Sequence, residues 1–97
     1  MSCKIIYEKQ KLFIAVNGIF SHDTWIKFKD LDIDFQEIKE CEVDFSQTVF
    51  IDSRGIGGLL VLKEKVGDEV EIILTNTSKG INKIITSVNF DDIFTLS

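Results

Sequence analysis

The chain has 97 residues, a formal net charge of −5, 44% hydrophobic residues, eight Phe and no Pro. This length holds one hydrophobic core, so we expect a single domain over residues 1–97 with too much apolar material to be disordered. An acidic chain lacks the positive surface that nucleic acids and anionic lipids bind, which excludes both as expected partners.

Short apolar runs and two separated cysteines indicate the cellular compartment of the protein. Runs such as residues 56–62 are too short to span a membrane, and the first ten residues lack the hydrophobic region of a secretory signal. Cys3 and Cys41 have no CxxC spacing and no His/Cys cluster beside them, so we expect neither a metal site nor a disulfide. The sequence therefore predicts a cytoplasmic protein with free thiols and no cofactor.

The first elements read as a hairpin. Residues 4–8 and 12–16 are strand-like, and the polar pair Gln10-Lys11 between them predicts a tight turn. Asn17-Gly18 is a turn signal that we expect to close the second strand.

Residues 21–35 follow helical spacing. Ser21 is the predicted N-cap, and Asp23 lies in the first turn, where a negative charge is favourable. Trp25 and Phe28 are expected to pack this helix onto the sheet, since an aromatic pair at this spacing is usually part of a core.

The middle of the chain combines strand-like alternation with helical spacing. Residues 30–40 alternate like a strand but also continue the helical spacing, and we expect a loop or a frayed helical segment. Residues 41–45 and 49–51 predict two strands, separated by a kink at Ser46-Gln47.

The second half alternates helix and strand. Residues 55–65 predict a helix that Gly67 ends as an αL cap, and residues 70–75 predict a strand covered on both faces. The apolar positions of this helix, expected to share one side, are Ile56, Leu59, Leu60, Leu62 and Val66.

Thr77 or Ser78 is expected to cap a last helix that runs to about Ser87. The tail, residues 89–97, predicts a closing turn and an edge strand. The alternation from Cys41 onward predicts a mostly parallel sheet with right-handed crossovers. The positions of the last helix expected to face the core are Ile81, Ile84, Ile85 and Val88.

The start of the second helix is the most informative stretch. Asp52 and Ser53 follow a predicted strand and precede a helix, where free N–H groups and the helix dipole favour an anion such as a phosphate on Ser53. A serine here is also commonly a plain N-cap. Gly57 and Gly58 each cost about 1 kcal/mol relative to Ala, which indicates either close packing against the sheet or a partner docking over the helix start.

These residues carry a resemblance to a known family. VDFSQTVFIDSRGIGGLLVLKEK, from residue 43 to residue 65, resembles the core of the STAS domain, the fold of bacterial anti-sigma factor antagonists. The similarity extends to Asn17-Gly18, to residues 72–78 and to the ending VNFDDIFTL. The positions that match the family pattern are Asp44, Phe45, Ser46, Phe50, Ile51, Asp52, Ser53, Gly55, Ile56 and Gly57.

The resemblance implies an α/β, STAS-like fold: a mostly parallel mixed sheet of four to five strands with helices packed against it. It implies that Ser53 is the phosphorylation site. It also implies two partners, a GHKL-type serine kinase that is itself an anti-sigma factor and a PP2C-type phosphatase, and no small-molecule substrate. The implied partner-binding residues are Asp52, Ser53, Arg54, Gly55, Ile56, Gly57, Gly58, Ser21 and Asp23.

Two positions depart from the family pattern. Arg54 stands where the family usually has Ser or Thr, which removes a second acceptor hydroxyl and places a cation beside Ser53. It could remain solvated or pair with a phosphate on Ser53. Ser21 stands where the family has an aspartate in its first loop, and Asp23 lies two residues further on.

The sequence bears on two other function classes. A STAS subunit that binds a transporter ATPase, as in bacterial lipid-transport complexes, is the alternative to the switch, and Ser53 favours the switch. An enzyme is not expected, because the chain has one histidine, His22, and Ser53 lacks a G-x-S-x-G elbow. A dinucleotide site is not indicated either, since G-x-G-x-x-G is absent.

Overall fold

A mixed sheet with helices packed against it forms the frame of the protein. The computed structural model describes residues 2–97, and within them six strands and three α-helices are found. The strands are β1 Ser2–Glu8, β2 Lys11–Phe20, β3 Glu40–Asp44, β4 Thr48–Ile51, β5 Ile72–Thr75 and β6 Thr95–Leu96. The helices are α1 His22–Lys29, α2 Ser53–Val66 and α3 Lys79–Ser87.

The sheet order is β1-β2-β3-β5-β6, and β4 pairs with β2. Only the β1–β2 pairing among these is antiparallel, and the others are parallel. The predicted fold class, a mostly parallel mixed sheet with helices, is confirmed. The described sheet has six strands where four to five were predicted, because the tail adds β6 and the kink after β3 leaves β4 as a separate strand.

The β1–β2 hairpin corrects two predictions. The turn lies at Lys9 and Gln10, which have φ values of 50° and 66°, one residue earlier than expected. The second strand does not close at Asn17-Gly18. It continues to Phe20, because Gly18 takes a φ of 98° and absorbs a shift in register instead of forming a turn. The pairing of β2 passes from β3 to β4 across this bulge.

Helix α1 is shorter than the predicted residues 21–35. It ends at Lys29, and Asp30 is its C-cap. Asp30, Asp32 and Asp34 follow in close succession, and negative charges are unfavourable at a helix C-terminus. Residues 30–39 form the expected loop, which includes a short 3₁₀ turn at Phe35–Glu37.

Helix α2 begins at Ser53, two residues before the predicted start. Gly67 ends it with a φ of 89° and a ψ of 171°, so glycine is required there, but the conformation is not the predicted αL. Leu60 is exposed and does not share the apolar side of the helix.

Strand β5 and helix α3 follow the prediction with two corrections. Ile72 and Leu74 are fully buried while the alternate residues are half-buried, so β5 is completely covered on one face only. Ser78 caps α3 by accepting a hydrogen bond from the Ile81 N–H at 3.2 Å. Val88, predicted to face the core, is the exposed C-cap residue beyond the helix end.

Phe20, the last residue of β2, lies at the centre of the core. Its ring stacks on Phe45 with centroids 5.5 Å apart and meets Phe28 edge-on at 5.7 Å. All three rings are fully buried, so the end of β2 is fixed by tight aromatic packing. The other fully buried large side chains are Leu12, Ile14, Ile51, Leu59, Leu62, Ile72, Leu74, Ile81 and Ile85.

None of the helices within residues 2–97 is both long enough and apolar enough to cross a bilayer. The thiols of Cys3 and Cys41 are both free. Cys41 is buried, and Cys3 is half-buried and packs against the core.

The two thiols should react at different rates. Burial, assisted by the nearby Glu42 carboxylate, raises the pKa of the Cys41 thiol to about 12, so only about one molecule in ten thousand carries its thiolate at pH 8. We expect iodoacetamide to modify Cys41 in the folded protein far more slowly than Cys3, as measured by peptide mass spectrometry. In urea the two rates should become similar. Equal rates in the folded protein would contradict the burial of Cys41.

Candidate partner-binding site

The candidate site lies at the carboxyl ends of β2 and β4. Phe20 pairs with Ile51 in the parallel register, which brings the following residues, Ser21 and Asp52, to the same edge of the sheet. The Asp52 N–H donates to the Phe20 carbonyl oxygen at 3.2 Å. Loops at this edge of a parallel sheet are common positions for binding sites.

Asp52 is the N-cap of α2. Its Oδ1 accepts hydrogen bonds from the N–H groups of Arg54 and Gly55, both at 3.0 Å. Ser53 is therefore the first helical residue and not the cap. The expectation of an anion at this helix start needs a correction, because the Asp52 carboxylate already binds the N–H groups that an external anion would use.

Ser53 is exposed and lines a shallow apolar groove between α2 and α3. Phe50 and Val88 beside it expose 48% and 42% of their surfaces. A serine hydroxyl thus lies in solvent within a surface of apolar side chains. The residues that line this groove, which we call the α2–α3 groove, are Phe50, Ile51, Asp52, Ser53, Ile56, Ile84 and Val88.

Two of the three glycines of α2 are explained by packing. A Cβ on Gly55 would lie 2.0 Å from the Phe20 carbonyl oxygen, so only glycine allows α2 to start against β2. A Cβ on Gly58 would lie 3.2 Å from Trp25 Cα, which shows that Gly58 permits close packing on α1 and not on the sheet. Gly57 differs, since its added Cβ would lie at an ordinary 3.7 Å from Trp25 Cδ1.

A second groove lies on the other side of the α2 start, between α1 and α2. Its lining, which defines the α1–α2 groove, consists of His22, Trp25, Arg54 and Gly57. The His22 ring stacks on Trp25 at 5.8 Å, and Lys29 Nζ lies 5.5 Å from the indole ring. Trp25 is half-buried in this groove and does not belong to the core as predicted, whereas Phe28 does.

Ser21 and Asp23 are less closely involved. Ser21 occupies the N-cap position of α1, but its hydroxyl makes no capping hydrogen bond to the described residues. Ser21 is half-buried and lies beside Asp52 at the sheet edge. Asp23 is exposed in the first turn of α1, as predicted.

A polar cluster joins the carboxyl ends of β3 and β5. Asp44 accepts hydrogen bonds from Asn76 Nδ2 at 2.9 Å and from the N–H and hydroxyl of Ser46, both at 3.0 Å. Burial opposes the charged form of Asp44, but these three donors outweigh it and hold the pKa of the carboxyl below its usual value. The cluster fixes the turn between β3 and β4, which leads to the site.

Sequence reasoning missed several residues of the site. Phe50 matches the family motif, but no sequence signal places it in a binding surface, and the periodicity predicts a core position for Val88, which is exposed. Ile84 packs against the core as predicted and also lines the α2–α3 groove. The spacing predicts a core position for Trp25, which lines the α1–α2 groove instead, whereas His22 is at the surface as expected but also lines that groove. One sequence signal could have indicated that Val88 is exposed. Val88 follows the last turn of α3, and a residue beyond the helix end is not held against the sheet.

The fold and the site together define a class. A mostly parallel mixed sheet packed against helices, with an exposed serine at the start of the helix that follows β4, is a small α/β domain. The STAS domain model matches residues 7–97, and the chain therefore belongs to the STAS domain family.

Similar proteins agree with this assignment. A STAS-domain containing protein of Pseudomonas aeruginosa is 29% identical over 93 residues, covering 91% of this chain and 89% of that protein. A sulfate transporter family protein from Wolinella succinogenes has a similar structure, with a TM-score of 0.76 and 17% identity over 90% of this chain and 73% of the other.

The anti-sigma factor antagonist SpoIIAA shares the fold as well. Its unphosphorylated form matches with a TM-score of 0.58 and 17% identity, covering 88% of this chain and 82% of the other. The phosphorylated form of SpoIIAA, the Bacillus cell fate determinant, matches with a TM-score of 0.62 and 15% identity, covering 99% and 91%.

Replacing Gly55 tests the contact that positions the site. We expect Gly55→Ala to lower the free energy of unfolding by about 2–3 kcal/mol, because the new methyl group collides with a backbone oxygen that cannot move cheaply. Gly80→Ala is the matched control, since an added Cβ there meets no described atom within 4 Å beyond its own helix. It should be neutral or stabilising by up to about 1 kcal/mol. Urea unfolding measures both, and equal stability of the two variants would contradict the contact.

The Asp44 cluster predicts a dependence on pH. A carboxyl whose pKa is lower in the folded state stabilises the fold above its unfolded pKa of about 3.9, and this contribution disappears as the pH falls through the lower folded value. We expect Asp44→Asn to be less stable than the wild type at pH 7, with the difference shrinking in acid. Urea unfolding at pH 7 and below pH 4 tests this, and a difference that stays constant would refute it.

Proposed function

We propose that the protein is a phosphorylation-switched protein-binding module of the anti-sigma factor antagonist type. The unphosphorylated form binds a GHKL-type serine kinase that is also an anti-sigma factor, and phosphorylation of Ser53 releases it. The observation that carries the proposal is the exposed Ser53 hydroxyl at the start of α2, within an apolar surface that includes Phe50 and Val88.

The unphosphorylated surface is suited to protein binding. Apolar area removed from water contributes about 25 cal/mol per Å², and Phe50, Val88 and Ile19 are each half-exposed beside the site or along β2. Ile19 and Phe50 are partners in the β2–β4 register, so their exposed side chains are neighbours. A partner that covers this surface also covers Ser53.

A phosphate on Ser53 makes binding of a partner to this apolar surface unfavourable. It adds about −1.5 to −2 charges next to the Asp52 carboxylate, which already accepts the Arg54 and Gly55 N–H groups. The helix start therefore offers the phosphate little compensation. Docking an apolar partner would require removing water from an anion that the helix N–H groups do not bind and that the neighbouring Arg54 only partly offsets, which is unfavourable.

The cycle needs two further proteins. In the kinase step the Ser53 oxygen forms a bond to the γ-phosphorus of ATP, the bond to the β-phosphate oxygen breaks, ADP leaves and the hydroxyl proton passes to a base of the kinase. A PP2C-type phosphatase hydrolyses the ester with water, which returns serine and inorganic phosphate. The expected compartment is the cytoplasm, where ATP and both enzymes are available.

The proposed contact residues surround this hydroxyl. Asp52 and Gly55 set the position of the helix start, and Gly58 holds α2 against α1. Exposed or half-exposed positions are those that a partner would touch directly. These are Ser53, Arg54, Ile56, Gly57, Ser21 and Asp23.

Phosphorylation by a candidate GHKL-type serine kinase from the same genome tests the proposal. We expect incubation with that kinase and ATP to add one phosphate to the wild type and none to Ser53→Ala, as measured by intact mass. Ser46→Ala, which removes another exposed serine at the same edge of the sheet, should still gain one. The phosphorylated protein should bind the kinase about a hundredfold more weakly, equivalent to about 3 kcal/mol.

Two outcomes would contradict the switch. Phosphate incorporated into Ser53→Ala would place the modification elsewhere. No incorporation into the wild type by a kinase that is active on a control substrate would instead favour the other STAS function considered above, a non-switched subunit that binds a transporter ATPase.

A further inference from the structure

We propose that the α1–α2 groove binds an acidic segment of the serine kinase, one that carries an apolar side chain flanked by carboxylates. This inference rests on the proposed function, since the occupant belongs to the partner that recognises Ser53. It adds a second contact region, on the other side of α2 from the α2–α3 groove, and assigns it a chemistry.

The charge around the groove favours an anionic occupant. Arg54 lines it, Lys29 lies 5.5 Å from the Trp25 ring, and the His22 imidazole stacks on the same ring at 5.8 Å. The chain as a whole carries a net charge of −5, whereas the residues that line the groove include the cation Arg54 and no carboxylate, although Asp23 follows His22 in the first turn of α1. A partner with carboxylates at this position gains charge-assisted hydrogen bonds and faster association.

The floor of the groove favours an apolar side chain. It consists of the edge of the Trp25 indole and the backbone of Gly57, and the groove encloses about 330 Å³. Packing of α1 on α2 does not require Gly57, because an added Cβ would lie at a normal contact distance of 3.7 Å from Trp25 Cδ1. The missing side chain therefore leaves the edge of the half-buried Trp25 open to a partner, and Trp side chains that a partner covers are frequent centres of binding energy.

The groove is connected to the proposed switch through Arg54. Arg54 directly follows Ser53, and its guanidinium is the nearest cation along the chain to that hydroxyl. A phosphate on Ser53 would attract this guanidinium and leave the carboxylates of the partner facing a more negative surface. Phosphorylation would then weaken the α1–α2 groove contact as well as the α2–α3 groove contact.

Two glycine-to-alanine variants isolate the groove. Gly57→Ala places a methyl group on the groove floor, and Gly80→Ala places one on α3, where no described atom outside that helix lies within 4 Å. Both exchanges improve helix propensity, so both variants should melt at or above the wild-type temperature. By calorimetric titration with the purified kinase, we expect Gly57→Ala to bind at least about tenfold more weakly and Gly80→Ala to bind like the wild type.

A charge variant provides a second test in case Gly57→Ala melts at a lower temperature than the wild type. Arg54→Gln alters an exposed side chain, and we expect it to bind more weakly at low salt and to depend less on salt concentration than the wild type. Wild-type affinity in Gly57→Ala, or in Arg54→Gln at low salt, would overturn the groove assignment.

The same samples separate this inference from the proposed function. If the kinase binds and phosphorylates the wild type while Gly57→Ala and Arg54→Gln bind equally well, the groove assignment fails and the switch stands. If the kinase neither binds nor phosphorylates the wild type, the proposed function fails and the groove assignment fails with it.

Discussion

The contact between Gly55 and the Phe20 carbonyl oxygen is the constraint on which the rest of the site depends. Because Gly55 has no side chain, α2 can begin directly against the end of β2. A Cβ at position 55 would collide with the Phe20 carbonyl oxygen. Phe20 itself is held by the rings of Phe28 and Phe45. Because both sides of this contact are fixed, Asp52 is placed where its N–H meets the Phe20 oxygen, and Ser53 is left in solvent.

The helical repeat then divides the surface around the start of α2 into two parts. Residues three apart lie on the same side of a helix, so Ser53 and Ile56 line the α2–α3 groove while Arg54 and Gly57 line the α1–α2 groove. One part is apolar and carries the hydroxyl, and the other is aromatic with cations around it. The start of α2, from residue 53 to residue 57, thus presents two different chemistries on its two sides, and the rigid helix holds them at a fixed distance from each other.

Much of this arrangement was predictable from local sequence signals, and the failures have physical causes. The stretch from Val43 to Gly58 located the strand, the turn and the helix start, because buried β-branched residues and glycines at a helix start constrain the backbone strongly. Asp52 and Ser53 are both good N-caps, however, and the hydrogen bonds that Asp52 Oδ1 accepts from the Arg54 and Gly55 N–H groups decide between them. Asn17-Gly18 predicts a turn because a turn also requires a positive φ, whereas here Gly18 allows a bulge in β2. Periodicity predicts which side of α1 carries Trp25. It does not predict whether the sheet, another helix or solvent lies against that side.

The capping of α2 by Asp52 also determines how a phosphate on Ser53 would act. A helix start with free N–H groups would bind the phosphate and order it, and phosphorylation would then create a binding surface. Here those N–H groups are occupied by a carboxylate of the chain itself. A phosphate added beside it has Arg54 as its neighbouring cation and otherwise faces outward, toward whatever covers the apolar surface. We therefore expect modification at this position to repel a partner and not to recruit one, which is the direction that a release switch requires.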